Sequence, residues 1–231
     1  MSRFGAAKAL DAAWLETTVF LNRGTNFVAR PLPMQAQVAP AFGICVGDFD
    51  GDGREDIFLA QNFFAVPVET PRCDAGVGLW LRGDGHGDFA AMSAAESGVR
   101  IFGEQRGAAL ADYDGDGRVD LLVGQNGQQT KLFHNARARP GLRVRLIGPA
   151  QNPLAIGAVI RLTDLSGAGA AREVQAGSGY WSQNSGVQVM YAPAGAVHLS
   201  IRWPGGGVTN LNVQADARDI TVSRREVGNS R

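Results

Sequence analysis

The chain has 231 residues, enough for one large domain or two small ones around a real core, and 45% are hydrophobic against 19% charged. Its Lys+Arg 22 and Asp+Glu 22 cancel, which removes the basic footprint that nucleic acid or an anionic membrane surface selects. Two cysteines, Cys45 and Cys73, allow at most one internal disulfide and belong to no CxxC pair.

No apolar run reaches the roughly 18 residues of a membrane span, so no transmembrane segment is expected. Residues 1–17 read as an N-terminal extension, with a short amphipathic helix in 6–16 as the one helix expected. Asp11 and Glu16 interrupt the apolar stretch that a signal peptide needs. Two expectations follow: a cytoplasmic chain, or a gene product that starts upstream of Met1.

From 18 onward the chain reads as strands and tight turns, in keeping with Gly 31 and Pro 10. VFLNRGTNF at 19–27 is a hairpin, and AFGICVG at 41–47 a strand running into DFDGDGRED. DIFLA at 56–60 follows, then a loop-like insertion at 62–78 and a second hairpin, LWLRGDGHGDF at 79–89. The order then repeats: GAALA, the loop DYDGDGRVD, DLLVG, and a fainter hairpin element KLFHN at 131–135. A repeat of about 50–60 residues with four short strands has the size of a propeller blade. After ARARPG at 136–141 the pattern changes to alternating runs: LRVRLIG, GAVIRLT, REVQA, VQVMYA, VHLSIRW, VTNLNV and DITVS. These predict a small antiparallel, sandwich-like β domain at 139–225, with a tail at 226–231. The fold class is therefore all-β: a partial propeller of about two blades at 18–138, followed by that domain.

The two loops carry the chemistry. Carboxylates fall at positions 1, 3, 5 and 9 of each: Asp48, Asp50, Asp52 and Asp56, then Asp112, Asp114, Asp116 and Asp120. Glycines at positions 4 and 6 supply the tight turn. Position 7 offers a backbone carbonyl, from Arg54 or Arg118, whose side chain is free to point outward. An all-oxygen shell in a flexible glycine-rich loop favours Ca²⁺ over Mg²⁺, and zinc would want His or Cys. Two Ca²⁺ sites are expected. Leu59 and Val123 stand where an EF-hand has its twelfth-position Glu, and strands rather than helices follow. With all eight aspartates used as ligands, no acid–base pair is left beside the loops, which points away from an enzyme.

DxDGDGxxDLxV preceded by such a hairpin resembles the FG-GAP or VCBS-type propeller repeat, also found in the calcium-binding blades of integrin α chains. REVQAGSGYWSQNS at 172–185 with VHLSIRWPGG at 197–206 resembles the ASPIC/UnbV domain, which follows such propellers in bacterial secreted proteins and the cartilage acidic protein group. The resemblance implies an extracellular or periplasmic setting, while the N-terminus as written leaves the cytoplasm open. Related propellers have around seven blades, and two cannot close a ring. A truncated member is expected, or a subunit whose open blade edge a protein partner covers.

The function these readings support is a non-catalytic, calcium-stabilised interaction or structural module. The alternatives are a carbohydrate-binding module using the exposed-aromatic candidates Tyr180 and Trp181, or a fragment of a larger secreted, enzyme-associated protein. His86, His134 and His198 are scattered, without a catalytic partner at a recognisable spacing. Ser178 and Ser182 lack a nucleophile-elbow context.

Overall fold

The computed structural model describes residues 10–164, 167–192 and 197–224. It is built almost wholly of strands in five sheets. A hairpin of β1 (Thr18–Asn22) and β2 (Phe27–Pro31) comes first. A four-stranded antiparallel meander follows, in the order β3 (Ala41–Gly47), β4 (Asp56–Gln61), β5 (Leu79–Gly83) and β6 (Phe89–Ala91). A three-stranded meander then has β7 (Glu104–Ala111), β8 (Asp120–Asn126) and β9 (Lys131–Phe133). Among the described residues these sheets do not curl or close into a propeller.

Each aspartate loop is the turn between the first two strands of a meander. β4 reads as an unbroken apolar run because both of its faces are covered. Ile57 and Leu59 pack with Leu79, Leu81, Leu32 and Ala36, while Phe58 and Ala60 face Cys45, Ala108, Leu110, Leu121 and Val123 of the neighbouring meander. The two meanders approach closely at Gly43, where a Cβ would stand 2.7 Å from the Arg106 carbonyl oxygen. On β8 and β9 only one face is covered, and the cross-strand pair Leu122 and Leu132 stays 43% and 53% exposed.

The remaining strands form two sheets on one core. One has the order β13 (Gln188–Met190), β10 (Leu142–Ile147), β16 (Asp219–Ser223). The other has the order β12 (Gly167–Glu173), β11 (Val159–Asp164), β14 (Val197–Arg202), β15 (Val208–Val213). Leu142, Val144 and Val222 from the first sheet meet Ile160, Leu199, Ile201 and Val213 from the second, as two stacked sheets require. The expected purely antiparallel arrangement is corrected at one place: β16 runs parallel to β10, because the chain returns only after completing the opposite sheet. β12 also sits earlier than REVQA suggested, in a Gly- and Ala-rich run that lacks β-branched residues.

The expected helix in 6–16 is not found over 10–16, and residues 6–9 lie outside the described residues. A single turn of helix, α1 (Ala94–Ser97), forms instead. Ser93 and Glu96 close a capping box and Gly98 ends it in the left-handed region. The insertion is closed on itself by a bridge between Phe63 and Cys73 and by the Asn62 amide donating to the Gly76 carbonyl. It is tied to the second meander, where Asn62 donates to the Gly103 carbonyl, Phe64 N–H donates to Glu104 and Arg106 donates to the Asn62 carbonyl. Cys45 and Cys73 are both free, and burial pushes the Cys45 thiol up to about 12. No helix among the described residues is long and apolar enough to cross a membrane.

Candidate metal centre

The first loop is organised by its first carboxylate. Asp48 accepts the backbone N–H of Gly51, Asp52 and Gly53 at 2.8, 3.0 and 2.8 Å. Asp56 ties the loop to the sheet, accepting Phe49 N–H on one oxygen and Gly83 N–H of β5 on the other. The second loop repeats this bond for bond. Asp112 accepts from Gly115, Asp116 and Gly117, and Asp120 accepts from Tyr113 and from Asn135 just beyond β9. At Gly51, with φ +73°, a Cβ would also stand 2.5 Å from the Arg139 carbonyl oxygen. Only glycine fits that turn.

Oxygens of Asp48, Asp50 and Asp56 lie within 4.8 Å of one another, as do those of Asp112, Asp114 and Asp120. Three of the four expected carboxylates thus converge in each loop. Position 5 turns aside: Asp52 and Asp116 each accept the N–H of the following arginine, Arg54 or Arg118. The expectation that both arginine side chains point outward holds for Arg54 only in part and fails for Arg118. The Arg118 guanidinium folds back onto Asp116 and donates from Nε to the Ala138 carbonyl, because Ala138 supplies an acceptor within its reach.

A divalent cation fits these residues. Carboxylates held this close repel unless a cation intervenes, and Asp50 Oδ1 is buried without a hydrogen-bond partner. Asp48, Asp50 and Asp56 would hold one ion, and Asp112, Asp114 and Asp120 another. Each ion would supply charge neutralisation and cross-strand bridging rather than chemistry on a substrate.

Three functional neighbours escaped the sequence reading. Arg82 Nε lies 2.7 Å from Asp50 Oδ2, Arg143 Nε lies 2.7 Å from Asp112 Oδ2, and His134 Nε2 lies 3.0 Å from Asp114 Oδ2. The only available signal was that Arg82 and His134 each fall at the end of the second strand after a loop, Arg82 one residue before the end of β5 and His134 directly after β9. Arg143 also pairs with Asp219, so β10 and β16 brace the second loop. Arg172 reaches back from β12 to Glu55 and the Val46 carbonyl.

Burial pushes the Asp56 carboxyl up to about 7, assisted by the charge of Asp50 and opposed by the N–H bonds of Gly83 and Phe49. Burial likewise raises Asp48 and Asp120. A carboxyl raised on folding binds its proton more tightly in the native state, so its contribution is present at low pH and lost as pH rises through about 7. Metal-free protein should therefore become more stable on going from about pH 8 to pH 5. Calcium needs the ionised form, so its stabilising increment should shrink over the same interval. Thermal midpoints across that range, with chelator and with calcium, check the opposed signs.

Tyr180 is 41% exposed and Trp181 92% exposed, the latter with φ +48°. The Tyr180 ring stands edge-on to Phe42, whose face carries the Arg106 guanidinium at 3.9 Å.

Residues 148–228 match the family model for ASPIC and UnbV. Domains of that family are non-catalytic structural modules, consistent with the all-β fold. No curated protein matches the chain.

Proposed function

We propose that the chain is a non-catalytic, calcium-stabilised interaction module: two propeller-like blades over 18–138 joined to an ASPIC/UnbV-like domain over 139–225. The observation that carries this reading is the duplicated cradle, down to each hydrogen bond of Asp48 and Asp112, with a buried, unpartnered Asp50 oxygen in the first loop. Calcium suits a donor set of carboxylates on loops of this kind, whereas magnesium demands a stricter octahedron. The uncovered pair Leu122 and Leu132 supports a protein partner on the open face of the second meander. An extracellular or periplasmic setting, where calcium is plentiful, accords with this.

Calcium at about a hundred times its dissociation constant should add about 2.7 kcal/mol per site. Urea unfolding of chelator-stripped protein should show that gain with calcium and a clearly smaller one with equimolar magnesium. An equal response to both ions would count against calcium. A second reading, glycan binding, is favoured by one observation, the near-complete exposure of Trp181 beside Tyr180. Retention on a glycan array that is lost in Tyr180→Ala and Trp181→Ala would support it.

A further inference from the structure

We infer that the second aspartate loop, unlike the first, is a mixed nitrogen–oxygen site for a borderline divalent ion such as Co²⁺, Ni²⁺ or Zn²⁺, with His134 Nε2 as its nitrogen ligand. This rests on reading the loops as metal sites, and it concerns which ion each one takes.

The two loops share their backbone hydrogen bonds and strand register, and differ at the residue that faces positions 3 and 5. Leu81 pairs with Ile57 across β4 and β5, and Phe133 pairs with Leu121 across β8 and β9. The next residue is Arg82 in the first case and His134 in the second. The one after that, Gly83 or Asn135, donates its N–H to the position-9 aspartate in both. Arg82 and His134 therefore occupy one structural position, and each faces the carboxylates at positions 3 and 5. Arg82 reaches Asp50 at 2.7 Å and Asp52 at 3.4 Å, while His134 reaches Asp114 at 3.0 Å and Asp116 at 3.5 Å.

That exchange changes the chemistry. Arginine is a permanent cation with no lone pair to give, so in the first loop it can pair with Asp50 and Asp52 but cannot ligate an ion. Imidazole carries a lone pair and is a good ligand for zinc, nickel and other transition ions. The spacing suits such an ion. Metal–ligand bonds of about 2.1 Å place neighbouring ligand atoms about 3.0 Å apart in an octahedron and about 3.4 Å in a tetrahedron. The two His134 distances fall at these edge lengths, and the three ligand atoms lie within 4.8 Å of one another. The Tyr113 ring, edge-on to His134 at 6.0 Å, flanks the imidazole. An incoming ion must compete with Arg118 for Asp116, although the Nε bond to Ala138 gives that guanidinium a second anchor. Asp114 is shared with the triad of Asp112 and Asp120, so the loop takes one ion at a time, nearer the carboxylates for a hard ion and nearer His134 for a borderline one. Neither His86 nor His198 joins a metal-ligating group among the described residues.

Titration of tag-free, chelator-stripped full chain with Co²⁺, read by heat and by the visible absorption of the bound ion, tests this. One Co²⁺ site is expected. His134→Gln should weaken it about tenfold or more. Arg82→His should create a second Co²⁺ site, and His86→Gln should change nothing. A loss below about tenfold in His134→Gln, with circular dichroism unchanged, overturns the inference. So do two equal Co²⁺ sites in the unmodified protein. Calcium bound at two sites with cobalt indifferent to His134 sinks the inference alone. Cobalt dependent on His134 with no calcium bound sinks the calcium reading alone.

Discussion

Asp48→Ala should lower the unfolding free energy by about 3 kcal/mol without metal, and by about 2.7 kcal/mol more at a hundredfold excess of calcium over its dissociation constant. The first figure follows from three backbone N–H groups that lose their acceptor in a nearly buried loop. Each orphaned donor costs about 1–3 kcal/mol. Relief from desolvating a carboxylate whose pKa burial raises returns part of that. The second figure is the loss of one ion that binds only the folded state. Asp48→Asn separates the two. Its remaining oxygen can still accept from Gly51 and Asp52, which share Oδ1, so the metal-free loss should be smaller while the calcium increment still falls. Urea unfolding with and without calcium reads both. The Asp112 variants should act on the other increment, nearly additively, because the loops share no ligand.

Leu199→Ala should cost about 2–5 kcal/mol, the range for a fully buried leucine whose cavity collapses only in part. Leu199 is 0% exposed, in the central strands of its sheet, cross-strand from Leu162 of β11 and in one core with the opposite sheet's Leu142 and Val144. This core shares no buried residue with the two that flank β4, so the damage should be local. Trp203, 3% exposed in this core, and Trp80, on β5, report the two regions separately. In single-tryptophan backgrounds the Trp203 transition should move to lower urea much further than the Trp80 transition. Equal shifts would mean that Arg143, Arg172, the Leu110 N–H donated to Asn184 and the Ser185 N–H donated to the Leu110 carbonyl couple the regions into one cooperative unit.

The loops were legible because their chemistry is local: ligand spacing, turn geometry and the strand before and after lie within about a dozen residues. Strands such as Ala41–Gly47 and Val197–Arg202 were legible from their apolar pattern and β-branched residues. What is set by pairing across the chain was not. The partnership of β10 with β16 joins residues far apart in sequence, and nothing in DITVS announces a parallel neighbour. Arg82 and His134 lie at different separations from their loops because the 62–78 insertion intervenes in one repeat only, so their equivalence emerges from strand register. The α1 turn was readable from SAAES-G, a capping box followed by a glycine, but is too short to carry a helical period.

The central claim is that the two aspartate loops hold calcium, and calorimetric titration of the chelator-stripped, folded chain tests it most directly. The account expects a stoichiometry of two, reduced to one by Asp50→Ala or by Asp114→Ala and abolished in the double variant. No binding at millimolar calcium, with circular dichroism showing an intact sheet spectrum, would contradict it.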